Sequence, residues 1–285
     1  MSLNKFDIFT YQLSVLPMNQ LSLFDKALSK EELMGKKNLF FNEIFKAQLS
    51  FYHRRNKLNY KVEFKSDEFI LIRLANKKVV HIERKFHRES FESEPSCLVG
   101  IYNTQETQYL LIESDRTSFG TSFTVARIIE KAFERELAKF NFRIKIHPKY
   151  EEKEFWELLD KYPDQVEGLR FEFEYPNLPR VNKFLSDELK EASKALNSGK
   201  TKIEFLAVDD NILDNLVEDN TELNSLVKTS AEGAGPVKIK IKGLKRWEST
   251  DNKVKSYEFD SLEVDAPAEM INQYVSGLKN LLSNE

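Results

Sequence analysis

Apolar and polar residues alternate along residues 4–16 (NKFDIFTYQLSVL), which predicts a strand ended by Pro17. Ser29 with Glu32 three residues on forms a capping box, and Leu33, Leu39, Phe40, Ile44, Phe45 and Leu49 follow at helical spacing. A helix over 30–50 is therefore expected, weakened early by Gly35. Residues 58–64 and 68–74 read as strands, Asn76-Lys77-Lys78 as a turn, and 79–86 (VVHIERKF) as the return strand. The polar stretch HRESFESEPS then breaks the pattern, and 97–102 and 108–113 form another strand pair around NTQET. Residues 122–140 carry the clearest helical periodicity, through Val125, Ile128, Ile129, Ala132, Phe133, Leu137 and Phe140. Ser122 is the expected cap, Asn141 the expected stop, and 142–147 the following strand.

The second half alternates in the same way. Helices are expected at 151–161, 182–197, 211–230 and 268–283, and strands at 166–175, 202–208, 237–243 and 254–264, the last two paired as a hairpin. Gly233-Ala234-Gly235 reads as a helix end and turn. The expected fold class is α+β, with mixed sheets, β-hairpins in the N-terminal half and alternating α and β elements in the C-terminal half. Two lobes, 1–150 and 151–285, are expected, with no linker composition marking the boundary.

Composition narrows the class. Of 285 residues, 41% are hydrophobic, 22 are Phe, and Gly (9) and Pro (8) are scarce, so a packed core is expected and low-complexity or collagen-like chains are excluded. The single cysteine, Cys97, excludes a disulfide framework and a cysteine-rich zinc site, and suits a reducing compartment. The N-terminus lacks a signal-peptide pattern and no apolar run is long enough to span a bilayer, so a cytoplasmic protein without a membrane partner is expected.

Charge adds asymmetry. Residues 1–150 hold 25 Lys and Arg against 18 Asp and Glu, whereas 151–285 hold 18 against 28. The basic excess is concentrated in 30–90, with 15 against 8. Such a segment suits DNA, RNA or an acidic partner, and the acidic half suits self-association or partner contacts. Mutual attraction of the two halves is the plainer explanation.

Neither phosphate-binding glycine motif, G-x-x-x-x-G-K-[ST] or G-x-G-x-x-G, is present, and neither is a G-x-S-x-G elbow or H-E-x-x-H. His53, His81, His87 and His147 are not spaced as a zinc set. Two constellations remain. Phe51, Tyr52, His53, Arg54, Arg55, Lys57, Tyr60 and Lys61 interleave aromatic and basic groups, as a nucleic-acid surface does, and Lys77 and Lys78 add to it. The other reading of this run is a helix end with core aromatics. The second constellation is Glu43, Asp67, Glu83 and Lys85, which follows the D…(D/E)-x-K pattern of Mg²⁺-dependent nucleases. There, carboxylates hold the metal and the lysine supports the attacking water. Glu83 and Lys85 share one face of a strand, and a solvated hairpin edge is the plainer reading of them. Only this reading calls for a cofactor, Mg²⁺; the others need none.

Ile101-Tyr102-Asn103, Gln108–Glu113, helix 122–140, strand 142–147, Phe155-Trp156 and the run Phe171–Asn177 together resemble an uncharacterised bacterial family of mobile-element and phage-defence neighbourhoods. The resemblance covers about the middle third and carries no catalytic motif. It implies a cytoplasmic bacterial binding protein of a phage-defence or mobile-element system. The basic half would engage nucleic acid or an acidic partner. A nuclease and a structural assembly component, the latter as a homo-oligomer or with a protein partner, are the alternatives.

Overall fold

A computed structural model describes residues 3–16, 28–46, 48–105, 107–174, 187–196, 200–208, 211–251 and 253–283. Pro17, residues 182–186 and 197 of the helix expected at 182–197, and residues 175–177 lie outside them. The chain forms two compact units, one of residues 1–146 and 256–285 and one of residues 147–255.

The elements before residue 150 are strands β1 (Leu3–Val15), β2 (Tyr52–His53), β3 (Asn56–Lys57), β4 (Asn59–Lys65), β5 (Phe69–Ala75), β6 (Lys78–Arg84), β7 (His87–Ser93), β8 (Ser96–Asn103), β9 (Gln108–Glu113) and β10 (Phe142–Pro148), with helices α1 (Lys30–Gly35), α2 (Lys37–Glu43) and α3 (Ser122–Leu137). After it come α4 (Glu152–Lys161), β11 (Val166–Glu174), α5 (Asp187–Ala195), β12 (Lys200–Leu206), α6 (Thr221–Thr229), β13 (Val237–Ile241), β14 (Glu248–Ser249), β15 (Ser256–Asp260) and α7 (Ala268–Ser283). The fold is α+β, as the sequence predicts, and every pairing whose register is described is antiparallel.

The first unit is a sheet in the order β10-β1-β9-β8-β5-β4, with β15 also paired to β1. Both faces are covered. Phe9, Tyr11, Ile70, Ile72, Val99, Ile101, Leu110 and Ile112 point toward α1, α2 and α3. Phe6, Ile8, Phe69, Leu71, Leu98, Tyr109 and Leu111 point the other way, toward Ile271, Tyr274, Val275, Leu278 and Leu282 of α7. Burial on two faces explains why β5 (FILIRLA), β8 and β9 are continuous apolar runs instead of alternating ones. Phe133 of α3 is fully buried among Phe41, Phe45 and Phe51, with ring centroids 5.5, 5.4 and 6.3 Å away.

Several local expectations hold and several are corrected. The Ser29–Glu32 capping box is present, but the helix breaks at Gly35–Lys36 and ends at Glu43 rather than near residue 50. Thr121, not Ser122, caps α3; the Ser122 hydroxyl instead donates to the buried Asp7 carboxylate (2.5 Å). Asn141 stops the helix in the left-handed region, at φ +62°. Residues 79–86 do not return along β5. β5 pairs β8, and β6 pairs β7, so the polar stretch after residue 86 is itself a strand. The reason is burial: the central position beside β5 needs apolar side chains on both faces, which β8 has and β6 lacks. Residues 254–264 do not pair 237–243 either, since β15 joins β1, from Leu3↔Asp260 to Asp7↔Ser256. The stretch 211–230 is helical only from Thr221 on, through α6 and into a π-helical turn at Ser230–Ala234.

In the second unit, the sheet order is β12-β11-β13-β14. One face carries Leu169, Phe171, Phe173, Val237, Ile239 and Ile241 against Phe155 and Leu159 of α4 and Leu223 and Val227 of α6. Gly235, at φ +143°, lets the turn before β13 come against the Glu172 carbonyl, a position that a Cβ would occupy. The opposite face is a lattice of ion pairs: Arg170–Glu204 (3.0 Å), Lys200–Glu172 (2.7 Å), Lys202–Glu204 (2.9 Å) and Lys240–Glu167 (3.0 Å). Hydrogen bonding from Arg170, then Lys202, holds the Glu204 carboxyl below its ordinary range. No helix among the described residues is long and apolar enough to cross a membrane.

Candidate nucleic-acid interface

Two hairpins on the first unit group several exposed cations that no described carboxylate pairs; Arg116, Arg127, Lys131 and Arg143 are further ones outside the hairpins. β2 and β3 are joined by the two-residue turn Arg54-Arg55, at φ +46° and +72°. Positive φ at both central positions is the hairpin turn that ordinarily takes Asn-Gly, so two arginines here are an unusual choice for folding alone. β6 and β7 are joined by Lys85-Phe86, at φ +47° and +66°.

The two hairpins meet at their bases. The His53 ring packs edge-on against Phe119 (6.0 Å), and Lys78 Nζ donates to the Thr117 carbonyl (2.6 Å) of the same loop. Partial burial, then the charges of Arg54 and Lys78, hold His53 below the ordinary histidine range. The fixed positive charge of this surface is that of arginine and lysine. Arg54, Arg55, Lys57 and Lys77 are exposed. Among the described residues, no carboxylate pairs with them or with Arg84, Lys85 or Arg88, in contrast to the paired face of the second unit. Lys61 differs: Glu63 takes it at 2.7 Å, while the same carboxylate holds the buried Arg73 at 2.9 Å. A cleft of about 500 Å³ at the root of β6 and β7 is lined by Lys77, Lys78, Val79, Glu92, Ser93 and Glu94, so its charge is mixed.

The nuclease set is not gathered. Asn42 Nδ2 donates to the Asp67 carbonyl (2.8 Å), which puts Glu43 and Asp67 at one end of the sheet, and Glu43 pairs Lys46 at 2.6 Å. Glu83 and Lys85 lie in the hairpin that leaves the other end of β5. Eight residues of strand, at roughly 3.3 Å each, separate Asp67 from that end. Among the described residues, no three His, Cys, Asp or Glu side chains are placed to hold a metal, so no metal-dependent step is derived. Cys97 is fully buried, and its burial, reinforced by the Glu113 charge, raises its thiol pKa, as befits a core residue.

The aromatic half of the sequence motif divides. Phe51 is core and Tyr60 packs on it (5.0 Å), whereas Tyr52 is half exposed. What sequence reasoning missed is the tip of the second hairpin, where Phe86 stands 97% exposed between cations. The signal was legible in Arg84-Lys85-Phe86-His87-Arg88, a large apolar residue inside a purely basic run. No protein family matches this chain, and neither does any curated protein or solved structure.

Proposed function

We propose that the protein binds nucleic acid through the hairpin end of its first unit. The observation that carries this reading is the set of seven exposed cations, Arg54, Arg55, Lys57, Lys77, Arg84, Lys85 and Arg88, that no described carboxylate neutralises. On the sheet face of the second unit, by contrast, cations and carboxylates are matched. Unpaired cations with an exposed aromatic nearby suit a phosphate backbone, which condenses and then releases counterions. The sequence resemblance to phage-defence and mobile-element proteins is consistent with such a role.

A fluorescence-anisotropy titration of labelled DNA and RNA against salt tests the reading. Affinity should fall steeply with salt, and the double variant Arg54→Ala/Arg55→Ala should reduce the slope of log K against log salt by about two, close to one per phosphate contact. Lys153→Ala in the second unit should leave the slope unchanged. No binding at low salt to any of the probes overturns the proposal.

A further inference from the structure

The β6–β7 ribbon is the least covered part of the described molecule. From Val79 to Glu92 every residue is exposed. An isolated two-stranded ribbon is marginal in water, and this one adds exposed Val79, Val80, Ile82 and Phe91 along its length. Its charge is uneven: Arg84, Lys85 and Arg88 lie within two residues of Phe86 at the tip, Glu83 faces Arg88 across the ribbon, and Glu89, Glu92 and Glu94 follow toward the root. Side-chain alternation puts Arg84 and His87 together on one face, directly paired, and Arg88 on the other beside Glu83. Cations therefore flank Phe86 on both sides of the ribbon.

We propose that this tip enters a groove of double-stranded B-form DNA, with Phe86 wedged between base pairs and Arg84, Lys85 and Arg88 on the flanking phosphates. This inference rests on the nucleic-acid reading above and specifies its segment, its ligand and its mode. A two-stranded ribbon is an element that DNA-binding proteins lay in the minor as well as the major groove. Seven-residue strands at roughly 3.3 Å per residue reach about 23 Å, enough to cross a groove from a body held outside it. An apolar side chain wedged between base steps from the minor groove, beside basic residues, is the means by which architectural proteins unstack a step and bend the duplex, so the groove assigned is the minor one. Lys-Phe is a poor pair for a turn with two positive φ angles, so hairpin formation does not explain Phe86.

The test uses the full chain and a duplex labelled at both ends for energy transfer. Phe86→Gly suits the turn better than the native residue does, so a lost effect cannot be charged to a broken hairpin. The wild-type protein should raise energy transfer by bending the duplex. Phe86→Gly should bind about tenfold more weakly, the cost of one lost stacking contact, and leave transfer unchanged even at saturation. Arg54→Ala/Arg55→Ala should bind more weakly yet bend fully when saturated. If wild type binds the duplex unbent and Phe86→Gly binds equally, the wedge is wrong while the nucleic-acid reading stands. Binding confined to RNA or single strands, unaffected by Phe86→Gly, has the same meaning. Two other outcomes would also overturn the wedge: loss of binding to anionic phosphatidylserine vesicles with DNA binding intact, and conversion of a dimer to a monomer with DNA binding intact. Failure to bind any nucleic acid at low salt defeats both readings.

Discussion

Phe133 and Lys131 sit two positions apart on α3 and differ in everything that burial controls. Phe133 is enclosed by three aromatic rings, whereas Lys131 faces solvent. Truncating a buried Phe forfeits its transfer energy and leaves a cavity, a loss of roughly 3–5 kcal/mol. Phe133→Ala should therefore melt far below wild type, and Lys131→Ala within about 0.5 kcal/mol of it. Chemical denaturation of both variants checks this, and equal midpoints would refute the assigned face. This much followed from the 3.6-residue period of the sequence. Arg73 did not: it reads as one charge in an apolar strand, yet it is buried, bonds Glu63 at 2.9 Å and donates to the carbonyls of Leu262 and Glu263 at 3.0 Å. Its carbonyl acceptors lie almost two hundred positions away, beyond any local pattern.

Among elements, α7 shows how a close approach overrides propensity. Gly277 lies inside the helix, where Ala would ordinarily be better by about 1 kcal/mol. A Cβ there would collide with the Phe259 ring of β15, which also packs edge-on against Tyr274 at 4.9 Å. Overpacking costs about 1–3 kcal/mol, so the collision should win. Gly277→Ala is expected to lower the melting temperature, and adding Phe259→Leu to restore much of it; a Gly277→Ala protein as stable as wild type would disprove the contact. The extent of α7 was readable from its apolar spacing, as was that of β15 in outline. Their partners were not. Strand pairing depends on which edge is free and which faces are buried, and 256–260 found the edge of β1 rather than the nearer β13.

Taken as a molecule, the protein does not keep the charge asymmetry of its two sequence halves. Because residues 256–285 return to the first unit, that unit holds 25 Lys and Arg against 24 Asp and Glu, and the second holds 18 against 22. Net charge therefore does not make the first unit a polyanion binder; the local, unpaired cations of its hairpins support that reading. The same return has a mechanical consequence. A chain ending at Lys255 would lose β15 from the edge of β1 and α7 from over Phe6, Ile8, Leu71, Leu98, Tyr109 and Leu111. Such a truncation should leave the first unit unable to fold, seen as insolubility or as loss of a cooperative melt with strong dye binding to exposed apolar surface. A soluble, cooperatively melting 1–255 would show that α7 is dispensable.

Periodicity and capping chemistry were enough to place most helices and strands and the α+β class, because those signals act within a turn or a strand's length. The basic run 51–57 was likewise visible as composition. Sheet order, the burial of Arg73, the separation of Asp67 from Glu83 and Lys85, and the projection of Phe86 came from long-range packing. Each depends on which apolar strands claim the two-sided interior, and β8, apolar on both faces, claimed the place beside β5. The strand with polar groups on both faces, β6, was thereby left to pair with β7 in solvent, which is why the ribbon exists.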